Sequence, residues 1–369
     1  MTLKRVVKWT AATIPVVLLV MFSVAYWRSD NTCGDRSAAP RHPMKAVVYC
    51  DYGPPDVLQL HDVEKPVPGD DELLIKVRAA ALNPLDWHFM RGTPYIGRTE
   101  MGLRKPEVIR LGVDYAGVVE SVGRNVTTFE PGDEVFGGGT GAFAEYVVAR
   151  ADRSVVPKPA TLTFEQAAAI PVAGLTALQA LRDQGDIRPG QAVLINGASG
   201  GVGTFAVQLA KHFGGEVTGV CSARNVELVR SLGADHVVDY TTADFTAGPE
   251  RYDLIIDNVG THSLSKMRRV LKPGGRYIMV GGPKGRWIDP LPRALGALVM
   301  SRFGTQEMRF FISKMSGEDL TTLADLAQAG RVTPVVDRKY GLGEIRAAMA
   351  YLETGRARGK VVVTMETSR

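Results

Sequence analysis

One run of seven residues has the types and spacing to hold a charged cofactor: Gly197-Ala198-Ser199-Gly200-Gly201-Val202-Gly203. Having no side chains, Gly200 and Gly201 let the backbone come close to a pyrophosphate, and Gly203 lets a helix lie tight against the strand before it. The helix that such a turn opens aims unpaired N–H groups and the positive end of its dipole at phosphate oxygens. A glycine triplet alone is a weak sign. Here Ala192–Asn196 ahead of it is an apolar strand and Val202–Phe213 behind it has helical period, the context that gives the motif its meaning. The run is read as a dinucleotide site, with Gly197, Ser199, Gly200, Gly201, Val202 and Gly203 against the ligand.

The choice of dinucleotide is made at the end of the next strand, Glu216–Cys221. An NAD site places a carboxylate there to hold the ribose 2′-hydroxyl. This chain reads Val220-Cys221-Ser222-Ala223-Arg224-Asn225, with no acid before Glu227. Ser222 offers a hydrogen bond and Arg224 a charge-assisted one to a 2′-phosphate, and no carboxylate repels it. The expected cofactor is NADPH. The plain alternative for Arg224 is a solvated surface arginine.

Strands and helices on both sides supply the frame. Glu216–Cys221, His236–Asp239, Tyr252–Asp257 and Arg276–Val280 read as strands, alternating with helices Val226–Leu232 and Leu264–Leu271. That order predicts an α/β fold with a doubly wound parallel sheet. Upstream, Lys45–Tyr49, Glu72–Ala81, Val113–Val122, Glu134–Phe136 and Ala142–Val148 are short strands punctuated by turns at Pro68-Gly69-Asp70 and Pro131-Gly132-Asp133. They predict a β-rich lobe, a partly open barrel. Phe164–Arg182 between the lobes is Ala-rich and helical, with Pro171 and Gly174 as breakers. Leu320–Ala329 and Leu342–Glu353 read as helices and Gly359–Met365 as a last strand. A chain of 369 residues, 45% hydrophobic and 22% charged, can bury two such cores.

Residues 1–43 carry +4 of the net charge of +5, so the remainder is nearly neutral and has no balance to attract nucleic acid. Within them, Trp9–Trp27 is uncharged over 19 residues, flanked by Lys4, Arg5 and Lys8 and by Arg28. A hydrocarbon core takes about 20 apolar residues of helix. Residues 1–28 are therefore expected to be a single-pass transmembrane helix and residues 29–43 a flexible polar tether. A cleaved signal peptide (Ser23-Val24-Ala25) and a mis-assigned start ahead of Met44 are the competing readings. The three cysteines, Cys33, Cys50 and Cys221, are widely spaced, which argues against a disulfide scaffold or zinc ribbon. Cys33 is read as a solvated bystander.

With the glycine turn, further segments complete a pattern: Asn83-Pro84-Leu85-Asp86, Leu111-Gly112-Val113-Asp114-Tyr115-Ala116-Gly117, Pro131-Gly132-Asp133-Glu134-Val135, Pro171-Val172-Ala173-Gly174-Leu175-Thr176-Ala177, Leu232-Gly233-Ala234-Asp235 and Gly359-Lys360-Val361-Val362. From Met44 to Met365 the chain resembles the medium-chain dehydrogenase/reductase superfamily, in its zinc-independent quinone oxidoreductase-like branch. The resemblance implies a GroES-like catalytic domain (44–167 and 313–369), an NADP-binding Rossmann domain (168–312) and a possible homodimer. Thr176, Tyr240, Val259, Gly281 and Lys360 match positions that line the cofactor.

The superfamily's zinc enzymes hold their metal on Cys, His and Cys, which match Asn83, Val113 and Gly174 here. Valine and glycine cannot ligate and asparagine is a poor zinc ligand, so no metal site is expected. An unactivated ketone needs a Lewis acid at its developing alkoxide; a quinone or α,β-unsaturated carbonyl spreads that charge over a conjugated system. The implied reaction is hydride transfer from NADPH to such a small acceptor, by positioning alone and with no cation assisting. Asn83 is the candidate to orient the acceptor oxygen, Tyr95 to donate to it, and Asp86 a third catalytic candidate beside an apolar wall of Trp87, Phe89 and Met90. Asp86 as a helix cap and Tyr95 as a packing residue are the plain alternatives; one His near one Asp is too little for a metal, so His88 is read as a surface or substrate-pocket histidine. A zinc-free alcohol or aldehyde reductase, or a non-catalytic NADPH sensor that binds a partner, are the rival functions. The nicotinamide cofactor pool implies a body facing the cytoplasm.

Overall fold

A computed structural model describes residues 39–365 except 283, 284 and 286, together with Val20, Ser23, Val24, Tyr26, Trp27, Ser29 and Cys33. The chain opens with the hairpin-like pair β1 (Pro43–Val48) and β2 (Gln59–Glu64), then β3 (Glu72–Leu82). Helices α1 (Pro84–Arg91) and α2 (Arg98–Met101) precede β4 (Asp114–Val122), β5 (Glu134–Gly138), β6 (Tyr146–Arg150) and β7 (Val155–Pro157). Two helices, α3 (Phe164–Ala168) and α4 (Pro171–Gln179), lead to β8 (Ala192–Asn196), α5 (Gly201–His212), β9 (Glu216–Cys221), α6 (Val226–Ser231), β10 (His236–Asp239) and β11 (Tyr252–Asp257). Then come α7 (Leu264–Arg269), β12 (Leu271–Met279), α8 (Leu291–Met300), β13 (Glu307–Phe310), α9 (Gly317–Gln328), β14 (Val336–Gly341), α10 (Ile345–Glu353) and β15 (Lys360–Thr364).

Six strands make a parallel sheet in the order β10-β9-β8-β11-β12-β13. The chain adds strands to one side of β8 and then to the other, so the β8/β11 boundary is a topological switch point, where ligands bind outside the strands' carboxyl ends. Val193, Leu194 and Ile195 of β8 are fully buried because helices cover both faces of the sheet. Seven strands make the second sheet, in the order β14-β15-β3-β4-β5-β7 with β6 also on β3. Its last strand in sequence, β15, returns from the end of the chain to pair antiparallel with β3, Val361 against Leu82. That return sets Lys360 beside Asn83, 277 residues away in sequence.

Pro171 breaks the long Ala-rich segment as expected: α3 stops at Ala168, and α4 starts with Pro171, whose missing N–H has no partner to lose there. Several elements differ from the sequence reading, and β2, β7, β14 and α2 were not foreseen. β6 lies at Tyr146–Arg150 rather than over Ala142–Val148, since Ala142, Phe143 and Ala144 are buried beneath β1 without joining the ladder beyond one bridge at Ala46. β13 was not foreseen; it has four residues, two of them charged, at a sheet edge where alternation is weak. α8 was also missed.

The N-terminal expectations need correction. Among the described residues no helix is long and apolar enough to cross a membrane, and most of Trp9–Trp27 lies outside them. The transmembrane anchor is not upheld, and membrane localisation with a cytoplasm-facing body goes with it. Two described residues here touch the body: Ser29 Oγ accepts the Arg104 N–H at 3.2 Å, and the Arg104 guanidinium lies over the Trp27 ring. Cys33 is not a bystander but is disulfide-bonded to Cys50, with Cα atoms 5.7 Å apart. A separation of 17 residues gave no hint of this, because spacing alone does not say which cysteines a fold brings together.

Candidate active site

The turn after β8 is shaped by what glycine permits. Gly197 has φ +79°, a conformation L side chains rarely adopt. A Cβ on Gly203 would stand 2.1 Å from the Gly197 carbonyl oxygen, so only hydrogen lets α5 lie this close to its strand. Gly200 differs: a Cβ there meets no protein atom nearer than 3.5 Å, so the space it leaves is not taken up by packing. No side chain caps α5, whose first-turn N–H groups face that space as phosphate donors. These features fit the pyrophosphate of a dinucleotide.

The neighbouring loops converge on the same end of the sheet. Gly197 N and Ala198 N donate to the Val220 carbonyl, Tyr240 N to that of Cys221, and Asn258 N to that of Asn196. Asp257, fully buried at the end of β11, accepts from Asn196 Nδ2 at 2.8 Å and from the N–H groups of Val259 and Gly260. Val259 then covers Gly197, its Cγ2 lying 2.8 Å from where a Cβ would be. Gly281 is held by its N–H to the Asp257 carbonyl, and a Cβ on it would stand 2.1 Å from the Asn258 carbonyl oxygen.

At the ribose corner Ser222 opens a short 3-10 turn, Ala223–Asn225. Asn225, buried and unremarked in the sequence, spans the two turns: its Nδ2 reaches Ser199 Oγ at 2.9 Å and Ser222 Oγ at 3.3 Å, and its Oδ1 has no partner among the described residues. Arg224 is exposed, and its Nη2 donates to the Arg356 carbonyl at 2.6 Å, on the segment leading into β15. The same segment runs along the glycine turn, where Gly359 N donates to the Ser199 carbonyl at 2.9 Å. Tyr240 stands beside this corner, largely exposed.

A buried polar network stands where the chain crosses from one sheet to the other. Lys360 Nζ donates to Asn83 Oδ1 at 2.5 Å and to Asp114 Oδ2 at 3.1 Å. Asn83 Nδ2 donates to the same Asp114 oxygen at 2.9 Å, and Val172 N donates to Asp114 Oδ1 at 3.0 Å. All three side chains are almost wholly excluded from solvent. Asp86 lies one step away, accepting the Asn83 N–H at 2.7 Å and the Gly112 N–H at 3.1 Å; it caps α1. Burial pushes its carboxyl up to about 7, and nearby Asp114 adds to the rise against the opposing pull of its backbone donors and Lys360.

This geometry changes two expectations. The Asn83 amide spends its oxygen on Lys360 and its nitrogen on Asp114, so it holds neighbours in place rather than reaching toward an acceptor. The site also contains a cation, the Lys360 ammonium, where positioning alone was expected. Asp114 was overlooked although its motif was read: attention fell on Val113, a side chain that cannot ligate, and not on the acid beside it. Among the described residues no group of His, Cys, Asp and Glu could hold a metal ion.

Tyr95 is placed apart from this network. It sits half-exposed on a 3-10 turn, packed edge-on against Trp287 with ring centroids 5.1 Å apart. Ile96 N donates to the Trp287 carbonyl, so this turn meets the loop after β12. Met90 is fully buried, whereas Trp87 and Phe89 are partly exposed. His88 hydrogen-bonds the Thr93 carbonyl and stacks on Trp87. Thr176, nearly buried on α4, bonds Val172 O and Ser313 Oγ.

Known proteins give the same picture. Residues 69–160 match the alcohol dehydrogenase GroES-like domain and residues 232–363 the zinc-binding dehydrogenase family. The chain is 37% identical over 335 residues to 2-methylene-furan-3-one reductase of Solanum lycopersicum, covering 87% of this chain and 79% of that one. It is 36% identical to the chloroplastic NADPH-dependent alkenal/one oxidoreductase of Arabidopsis thaliana, again covering 87% and 79%. Among solved structures, the quinone oxidoreductase from Coxiella burnetii superposes with a TM-score of 0.77 at 32% identity, over 88% of this chain and all of that one. With a switch-point glycine turn, a GroES-like lobe and relatives of this kind, the chain belongs to the medium-chain dehydrogenase/reductase superfamily, as an oxidoreductase of its quinone oxidoreductase-like branch.

Proposed function

We propose that this protein uses NADPH to reduce quinones or α,β-unsaturated carbonyls. The observation that carries the reading is the contact between the glycine turn and the start of β15. It sets a dinucleotide cradle directly beside a donor set of amide, amine and carboxylate. Thiolate and imidazole, which polarise an unactivated carbonyl through zinc, have no counterpart at Asn83, Val113 or Gly174. Relatives whose names specify enone, alkenal/one and quinone chemistry support the same acceptor class.

When bound, the reduced nicotinamide supplies a hydride with its electron pair. The chain's part is to bind and orient. First-turn N–H groups of α5 hold the pyrophosphate, with Gly197, Ser199, Gly200, Gly201, Val202 and Gly203 shaping the approach. Ser222 and Arg224 receive the 2′-phosphate, and Tyr240 borders the adenosine side. Thr176, Val259 and Gly281 flank the nicotinamide half. Asn83 and Asp86 hold the acceptor end in shape, and Tyr95 with Trp287 closes its outer side. An acceptor lying against Trp87 and Phe89 is shielded from water, which strengthens every electrostatic contact made there.

We also propose a homodimer through β13, the outer strand of the parallel sheet. Leu295, Leu298, Val299, Phe310 and Ile312 all stand exposed on or beside that edge, a liability that a second copy relieves. A single mass at twice 39.8 kDa at micromolar concentration is expected; a monomer there ends this part of the proposal.

The test of function is NADPH oxidation by the purified protein with a panel of quinones, enones and saturated aldehydes. Turnover is expected on the first two. Faster turnover of saturated aldehydes, or tight NADPH binding without turnover of any acceptor, overturns the reading.

A further inference from the structure

Lys360 is bound on one side more fully than on the other. Its backbone adjoins the glycine turn, and its stem crosses that turn, with Cδ 3.1 Å from where a Cβ on Gly201 would stand. Its head lies past the turn, against Asn83 at the start of α1, the helix that carries Trp87 and Phe89. Only 3% of the side chain meets solvent. An ammonium has three N–H donors. Two are taken by Asn83 and Asp114, and the third has no partner among the described residues. A charged donor held this firmly, with one bond unspent, costs nothing further to reorganise when negative charge appears beside it.

We propose that Lys360 is a catalytic residue: its third N–H binds the oxygen of the acceptor as that oxygen becomes an oxyanion, doing with a fixed ammonium what a metal does elsewhere. This rests on the quinone/enone reading above and extends it. The acceptor gains a hydride with its electron pair at the conjugated carbon. The π pair of the attacked double bond shifts to the bond beside the carbonyl, and the carbonyl π pair moves onto the oxygen, where Lys360 donates a hydrogen bond without losing its proton. Water then supplies the proton that completes the reduced product and leaves as hydroxide to the solvent, so the acceptor gains in all one hydride, with its two electrons, and one proton. Asn83 and Asp114 are positioning residues, fixing the ammonium from two sides.

Charge stabilisation predicts a selectivity that mere structural support does not. A simple enone forms a more basic oxyanion than a quinone and leans harder on the donor. Lys360→Met is expected to lower kcat about 100-fold on an enone and only about tenfold on a quinone. NADPH affinity, read from dihydronicotinamide fluorescence without acceptor, is expected to fall by less than kcat does on the enone, since the Lys360 stem borders the cradle but its charged head is spent on Asn83 and Asp114. Because Lys360→Met strands a buried carboxylate, the charge-neutral double variant Lys360→Met/Asp114→Asn is measured beside it and is expected to show the same split. Equal losses on both acceptors overturn the proposal. So does weakened NADPH binding with kcat intact, which would make Lys360 a phosphate holder. Failure of the wild type on every quinone and enone sinks the functional reading with it; wild-type turnover with equal losses in the variants sinks only this inference.

Discussion

At one end of the cleft, around Gly197–Gly203, the surface that meets a ligand is main chain, and the residues matter for what they lack. At the other, around Asn83, Asp114 and Lys360, the surface is built from side chains that arrive from three distant parts of the sequence and satisfy one another. The first kind of site is local, so its signature survives as spacing. The second exists only after β15 has returned to β3, so no window of sequence contains it. The two ends also fail differently. A backbone cradle is lost by adding atoms, and a buried charge network by removing them.

The largest expected effect comes from removing an acid. Asp114→Ala leaves the buried Lys360 ammonium with Asn83 Oδ1 but no counter-charge, and takes the acceptor from the Val172 N–H, a loss of about 3–5 kcal/mol in unfolding free energy by urea titration. A cost below about 1 kcal/mol would show that the acceptor end is not held by this network. Next comes addition of a methyl at the cradle. Gly203→Ala drives a Cβ into the Gly197 carbonyl and is expected to cost about 1–3 kcal/mol of stability. Gly200→Ala has room within the protein, so stability should hold while NADPH binding weakens by about tenfold. Equal behaviour of the two glycine variants would erase the distinction between packing glycines and ligand glycines.

Much of the cradle was legible. The strand, turn and helix from Ala192 onward fall within a residue of their expected bounds, because burial of β8 and the glycine geometry are both written locally. Asn225 escaped because an asparagine after a strand is common in turns; only the fold shows it joining Ser199 to Ser222. The N-terminal segment misled for the opposite reason: hydropathy reports composition, and a disulfide from Cys33 to Cys50 depends on which residues the fold brings together. Asp86 and Asn83 were found by motif, but their roles as cap and brace depend on which N–H groups point at them.

Arg224 tests the cradle's outer corner with a smaller effect. Its guanidinium is exposed and bound to a carbonyl rather than a carboxylate, so its charge remains available to a 2′-phosphate. Arg224→Asp is expected to shift the ratio of NADPH to NADH affinity by about tenfold toward NADH, the worth of a charge-assisted hydrogen bond at a wet site. An unchanged ratio would remove this residue from the corner.

The effect that is smallest at a single pH belongs to Asp86, and it grows with the pH range scanned. Its carboxyl lies near 7 in the folded chain and near its ordinary value of 3.8 when unfolded, so between those values the folded state holds a proton that the unfolded state has released. Stability from this group is therefore full below about pH 4 and drains away as pH rises toward 7. Asp86→Asn cannot ionise. It loses part of a cap, since an amide offers one oxygen where the carboxyl receives two N–H groups, a cost of about 1 kcal/mol at pH 4.5. That deficit should shrink with rising pH and vanish or reverse by pH 8, as the wild type bears the cost of a buried negative charge and the variant does not. Unfolding free energies of the two proteins across that range decide it. A gap that widens with pH would mean the network welcomes the charge, and that Asp86 belongs with Asp114 among the anions that hold Lys360.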